Sequence, residues 1–322
     1  MATAKEINTL NLDMSCHGDC ENCEKYFECT LPQKDLAVAS TRMAAARVAM
    51  GKIKHKILVI GGKGGVGKSI VTANVATALA MKGKKVSILD QNFDGPAIPK
   101  MMGMEGQTMA MSDDGIVPGE GLLGIQVVSM GLILGEDEVL TWFHEMKRGA
   151  TEEFLSNVVY GERDYLVVDI PAGTSSDTVN ALAYIPDLDG ALVVTVPSDV
   201  SQGVAYRAIK LCETAGIYPF GVLENMSGFS CSKCGHKVEM FQTGGGDKLA
   251  RETNTPFLGR IPLSTMVSQS TNEGTPFVYK YPDIEASKMM MMAADLVDDI
   301  LEGKKAREYG YEGQDKEIKK AE

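Results

Sequence analysis

Hydrophobic positions along this chain fall into two alternating textures. Short unbroken apolar runs occur at Ile57–Ile60, Val86–Leu89, Tyr165–Val168, Leu192–Val196 and Gly221–Leu223, with Gly124–Met130 a weaker one. Runs without polar alternation, bounded by glycine or charged residues, suit strands buried on both faces of a parallel sheet. Between them lie segments of helical composition: Ala-, Met- and Arg-rich Lys34–Met50, which lacks Gly and Pro, then Ile70–Met81, Tyr206–Thr214 and Ala286–Leu301. Strands alternating with helices predict an α/β fold, a doubly wound and mostly parallel sheet covered on both faces. Residues 1–32 are polar and weakly periodic, and read as a small cysteine-rich extension. A linking helix over 33–52, the main domain over 53–301 and a charged tail over 302–322 complete the expected organisation. The four methionines Met289–Met292 read as adaptable core filler rather than a soft-metal site.

Composition narrows the class. A hydrophobic content of 44% supports a sizeable core, and no run of apolar residues is long enough for a transmembrane helix. The first residues lack a basic stretch followed by an apolar one, so no secretory signal is expected and a cytoplasmic protein is. The formal net charge of −11 argues against nucleic acid or a membrane surface as the main partner.

The segment Gly61-Gly62-Lys63-Gly64-Gly65-Val66-Gly67-Lys68-Ser69 changes the picture most. It follows an apolar strand, opens a helix, and fits the phosphate-binding pattern G-x-x-x-x-G-K-[ST] through Gly62, Gly67, Lys68 and Ser69. Glycines at this junction let backbone amides from Gly62 through Val66 to Ser69 converge on phosphates, and the helix N-terminus adds positive potential. Lys68 is expected on the β- and γ-phosphates of ATP, and the Ser69 hydroxyl on Mg²⁺. A second lysine, Lys63, lies inside the loop.

Three more strand ends carry polar chemistry. Ligands gather at the carboxyl ends of strands in an open parallel sheet. Asp90 closes the run Val86–Leu89 and is expected to orient a water for attack on the γ-phosphate or to hold Mg²⁺ through water, with Asp94 a second candidate. Asp169 closes Tyr165–Val168 and precedes Ile170-Pro171-Ala172-Gly173-Thr174, a loop placed to sense the γ-phosphate. Asn225 follows the third strand end at Glu224, and its amide is expected either to bond adenine or to serve only as a turn residue.

Seven cysteines are present. Cys16, Cys20, Cys23 and Cys29 supply four thiolates in one short segment, enough for a [4Fe–4S] cluster; structural zinc and uncommitted thiols are the alternatives. The spacing of the first three also matches radical S-adenosylmethionine enzymes, whose barrel does not follow here. Cys231 and Cys234 form an isolated C-x-x-C, too few ligands for a tetrahedral site. A twofold homodimer would bring four together; half of a zinc knuckle completed by His236, or a redox dithiol, would also use two. Cys212 reads as a small buried hydrophobe.

Taken together, the loop with its extra Lys63 resembles the deviant Walker A class of P-loop NTPases, which includes the nitrogenase iron protein, MinD and ParA. Adding Asp90…Gly95-Pro96, Asp169-Ile-Pro171-Ala-Gly173-Thr174, Glu224-Asn225-Met226-Ser227 and Cys231-x-x-Cys234 narrows the resemblance to the Mrp/ApbC family of ATP-binding iron–sulfur cluster carriers. The cysteine-rich N-terminus is similar to that of the family's eukaryotic cytosolic scaffold branch. The resemblance implies that Lys63 reaches the partner subunit's nucleotide. It also implies a [4Fe–4S] cluster bridging Cys231 and Cys234 of two copies, delivered to apo iron–sulfur proteins with slow ATP hydrolysis. Two departures stand out: Asn92 replaces an acid of the family's D-x-D-x-x-G-P pattern, and D-I-P-A-G-T-S-S-D replaces D-x-P-P-G-T-G-D, displacing Asp177 by one. Competing readings are a positioning switch of the MinD/ParA kind, which leaves the cysteines unexplained, and an electron-transferring reductase like the nitrogenase iron protein.

Overall fold

The computed structural model describes residues 29, 41–134, 141, 144–173, 176–230, 237–238 and 244–304. Their centre is an eight-stranded sheet in the order β12-β9-β8-β1-β7-β2-β6-β5. Its strands are β1 (Ile53–Gly61), β2 (Val86–Asp90), β5 (Gly119–Glu120), β6 (Gln126–Val128), β7 (Arg163–Asp169), β8 (Gly190–Thr195), β9 (Tyr218–Glu224) and β12 (Phe257–Arg260). Every neighbouring pair is parallel except β5 on β6. Two small antiparallel ribbons stand outside the sheet, β3 (Ala110–Ser112) with β4 (Gly115–Val117), and β10 (Phe229–Ser230) with β11 (Lys237–Val238).

The uninterrupted apolar runs are explained by two separate cores, one on each face of the sheet. Along β1, Ile57 and Val59 enter one core while Leu58 and Ile60 enter the other, as the two-residue period of a strand requires. Each such side chain, taken fully out of water, contributes about 1.5–3 kcal/mol. The first core is roofed by α2 (Lys68–Met81) and by α10 (Glu285–Leu301), which pack on one another. Nearly every side of α2 is buried, and its Ala73, Ala76 and Ala78 permit close approach to the sheet and to α10. On the opposite face lie α1 (Thr41–Met50), α4 (His144–Ser156), α5 (Ser176–Tyr184), α6 (Asp199–Thr214) and α7 (Gly245–Glu252). Short α3 (Ile98–Met101), α8 (Thr265–Asn272) and α9 (Phe277–Lys280) complete the numbering.

The six expected strands are all present, extended by one to four residues at some ends. The short edge strands β5 and β12 carry no long apolar run and were not legible. The helix expected over Lys34–Met50 is described from Thr41, and residues 34–40 lie outside the described set. The methionine run is core on one face only: Met290 is buried, whereas Met292 is 58% exposed. Consecutive helical residues are turned by about 100° from one another, so four in a row cannot share a face.

Below the sheet, at the ends of the strands away from the glycine loop, α10 is pinned by charge. Asp298, buried, accepts hydrogen bonds from the Tyr165 hydroxyl at 2.6 Å and from Lys82 at 3.1 Å, and pairs with Lys84 at 3.2 Å. Burial alone would raise its pKa, but these donors outweigh burial and hold it at about 2. Glu302, just beyond α10, pairs with Lys54 at 2.9 Å and Lys84 at 2.8 Å. Asp298→Ala is expected to cost about 2–3 kcal/mol at pH 7, measured by chemical denaturation. The wild-type pKa lies below the unfolded value of about 3.9, so the difference between the two proteins should be full above about pH 4 and shrink as pH falls towards 2.

Candidate nucleotide site

The glycine loop leaves the central strand β1, flanked by β7 and β8, and ends where α2 begins at Lys68. Gly67, the residue before the helix, has φ +91°, a left-handed conformation that excludes most side chains. A Cβ there would also collide with the Asn225 amide. At Gly62 a Cβ would meet the backbone of Val204 and Ala205 in α6. Gly67 is therefore needed for turning and packing, and Gly62 for packing. The amides from Lys63 to Gly67 donate to no acceptor among the described residues. Such a row of unpaired donors beside a helix N-terminus is a nest for an anion, so the loop fits a phosphate chain.

Lys68 is buried; desolvation lowers its pKa, partly offset by the Asp169 carboxylate. The Ser69 hydroxyl donates to Asp169 at 2.6 Å, and Thr72, one turn further along α2, donates to its other oxygen at 3.1 Å. Asp90 stands beside Asp169 because β2 and β7 pair in register, Asp90 opposite Asp169. Asp90 accepts from the Ser129 hydroxyl at 2.9 Å and the Asn92 amide at 3.0 Å. Both carboxyls are almost completely buried, and burial pushes both pKa values up; the neighbouring Asp169 charge pushes Asp90 further. Such a pair favours sharing a proton or accepting a divalent cation. The hydroxyl of Ser69 and the Asp169 carboxylate, already in contact, are hard oxygen donors of the kind Mg²⁺ takes.

The remaining expected residues are placed differently from one another. Lys63 is exposed on the loop, where its ammonium is open to a second molecule. Asp94 is 62% exposed and pairs with Lys147 of α4 at 2.6 Å. Asn92 donates its side-chain amide to the Gly95 carbonyl at 2.9 Å, closing the turn after β2. A carboxylate at that position lacks the N–H for this bond. Asn225, buried at the end of β9, donates to the Val66 carbonyl of the glycine loop at 2.9 Å. Thr72 and Ser129 escaped the sequence reading, although Thr72 shares a helix face with Ser69 and Ser129 ends the strand beside β2. Lys147 has no motif around it.

One step beyond Asn225 lies the cysteine-bearing segment. Glu224, fully buried, accepts from the Ser227 hydroxyl and from the Gly246 amide at the start of α7, both at 2.5 Å. Met226 between them has φ +55°. The Ser227 amide then donates to the Ile261 carbonyl and the Leu263 amide to the Gly228 carbonyl, tying this segment to the stretch after β12, and β10 pairs with β11. Cys231 and Cys234 belong to the segment joining those two strands and lie outside the described residues, as do Cys16, Cys20 and Cys23. Cys29 is partly exposed and free, and Cys212 is buried in α6, where burial pushes its thiol up to about 12.

The family model described as ParA, NUBPL iron-transfer P-loop NTPase, matches residues 52–298. The chain belongs to this family. Among members, the iron-sulfur cluster carrier protein of Methanocaldococcus jannaschii is 40% identical over 291 residues, covering 90% of this chain and 99% of that protein. The cytosolic Fe-S cluster assembly factor NUBP2 of Rattus norvegicus is 41% identical over 251 residues, covering 76% of this chain and 92% of that one. The NUBPL-type fold is shared with a solved nucleotide-binding protein from Archaeoglobus fulgidus, described in complex with ADP. That structure has a TM-score of 0.65 and 34% identity, covering 74% of this chain and 93% of the other. The P-loop fold and its mostly parallel sheet thus agree with what the motifs predict. Among the described residues no helix is long and apolar enough to cross a membrane.

Asp90→Asn should stabilise the nucleotide-free protein above neutral pH, by at least about 1 kcal/mol. A carboxyl whose folded-state pKa is raised costs stability as pH climbs from about 4 through that raised value. Denaturation midpoints of wild type should therefore fall relative to Asp90→Asn between pH 5 and 8. Parallel curves would refute the burial argument.

Proposed function

We propose that this protein is an ATP-binding carrier of iron–sulfur clusters, holding [4Fe–4S] clusters and passing them to apo-proteins. One observation carries the reading: adjacent residues at the end of β9 reach two ways, Asn225 bonded to the glycine loop, and Glu224 bonded to Ser227, just before the ribbon that flanks the C-x-x-C segment, and to Gly246. The names of the M. jannaschii and rat relatives support the cargo, and the ADP complex of the A. fulgidus protein supports the nucleotide.

In this reading the loop amides from Gly62 to Ser69, including Gly64, Gly65 and Val66, bind the phosphates of ATP. Lys68 neutralises the β- and γ-phosphates. Ser69 and Asp169 hold Mg²⁺, which supplies charge neutralisation at the transferring phosphate. Asp90 orients the attacking water, and its raised pKa equips it to take a proton. Lys63 reaches the nucleotide of a second copy in a homodimer, and Asn225 turns its amide from Val66 to adenine. Cys231 and Cys234 of two copies bridge one [4Fe–4S] cluster, while Cys16, Cys20, Cys23 and Cys29 hold another in the 1–32 extension. The protein acts in the cytoplasm, where thiolates stay reduced.

Anaerobic reconstitution with iron and sulfide tests this. About six irons per chain are expected, four at the N-terminus and two as half of the bridging cluster. Cys231→Ala/Cys234→Ala should lose about two of them and dimerise less. Loaded wild type should lose its cluster to an apo-ferredoxin, at a rate changed by MgATP, and Asn225→Ala should abolish that change. Bound zinc without labile sulfide would sink the carrier reading. A cluster retained through repeated reduction in the presence of acceptor would favour electron transfer instead.

A further inference from the structure

The acid loop after β2 is seated on α4 by three contacts, none of which involves the glycine loop. Lys147 pairs with Asp94 at 2.6 Å. The Thr151 hydroxyl donates to Gln91 Oε1 at 2.8 Å. The Phe154 ring packs on Phe93, centroids 6.1 Å apart. Positions 147, 151 and 154 follow the i, i+4, i+7 spacing of a single helix face, so one side of α4 reads Gln91, Phe93 and Asp94 together.

Lys147 does more than its two neighbours. Its ammonium also pairs with Asp177 at 3.0 Å, at the start of α5. Asp177 stands at the far end of the loop that begins after Asp169, and Asp94 midway along the loop that joins Asp90 to α3. The lysine side chain is 14% exposed and Asp177 7%, so the Lys147–Asp177 contact is shielded from salt and water. Burial opposes the lysine's charge, but hydrogen bonds from it to Asp94 and Asp177 outweigh burial and raise its pKa. A single cation thus ties the middle of one loop to the far end of another, where the residues from which the two loops start, Asp90 and Asp169, lie side by side.

We propose that Lys147 is a positioning residue of the nucleotide site: through Asp94 and Asp177 it fixes the loops after β2 and β7 to one another, so that they answer a γ-phosphate as one unit. The inference rests on the ATP-binding reading above. It accounts for the burial of Lys147, and it assigns to Asp94 a tether that must be kept or exchanged whenever that loop moves. Among the described residues its ammonium pairs with Asp94 and Asp177, so it acts through the two aspartates.

Hydrogen exchange on the full chain, with and without MgATP, tests the proposal in wild type, Lys147→Arg, Lys147→Met and Lys147→Met/Asp177→Asn. The double variant avoids leaving a buried carboxylate without its lysine. Without nucleotide, both Lys147→Met proteins should exchange at least tenfold faster in the segments 90–97 and 169–178, with β1 and α10 unchanged. With MgATP, wild type and Lys147→Arg should gain protection in both segments together. The Lys147→Met proteins should gain it in 169–178 alone, while a fluorescent ATP analogue binds within about threefold of wild type. Joint protection of both segments in Lys147→Met would overturn the proposal, and so would faster exchange spread evenly over the chain. A wild type that binds no ATP analogue would refute the nucleotide reading instead, and the nucleotide-free exchange would then decide the tether alone.

Discussion

Two carboxylates buried side by side set the terms for everything around them. Parallel pairing of β2 on β7 brings Asp90 opposite Asp169 in an almost water-free position. Such a pair is costly unless each oxygen is satisfied. Ser69, Thr72, Ser129 and the Asn92 amide supply donors, and Lys68 supplies countercharge. Burial outweighs these partners, which is why both acids are pushed towards protonation, Asp90 further by the Asp169 charge. A divalent cation would complete such a site, and the amides of the neighbouring loop, without acceptors among the described residues, suit an anion beside it.

The scaffold makes this tolerable by burying the sheet from both sides. With β1 central and two independent cores above and below, the strand ends cannot shift without disturbing packed apolar residues on both faces. Rigid strands then present the acids, while motion is left to the loops that follow them. Those loops are tied to one another by Lys147 of α4, which pairs with Asp94 in one and with Asp177 at the end of the other. The same division appears at β9, where a fixed strand end feeds Asn225 to the cradle and Glu224 to the neighbouring ribbon and α7.

Departures from the family pattern become intelligible in this frame. Asn92 in place of an acid gives up a charge and supplies an N–H that closes the turn onto Gly95. The displaced Asp177 meets Lys147, so the extra residue in its loop ends in a paired carboxylate. The replacement of a second proline by Ala172 has no contact in the structure that explains it.

Local chemistry made much of this protein legible before any coordinates. Unbroken apolar runs name strands buried on both faces, and the G-x-x-x-x-G-K-[ST] loop between strand and helix names a phosphate cradle, because both signals depend on neighbours in the chain. The acids at the ends of β2 and β7 were visible for the same reason. Tertiary packing alone decided which strand adjoins which, and so made Asp90 and Asp169 a coupled pair. It brought Ser129 and Thr72 to them from separate elements, and it turned Asn225 towards Val66. Lys147 shows the limit most plainly. It lies 53 residues from Asp94 and 30 from Asp177. A lone lysine on a helix carries no pattern, and only the docking of α4 against two loops gives its charge a purpose.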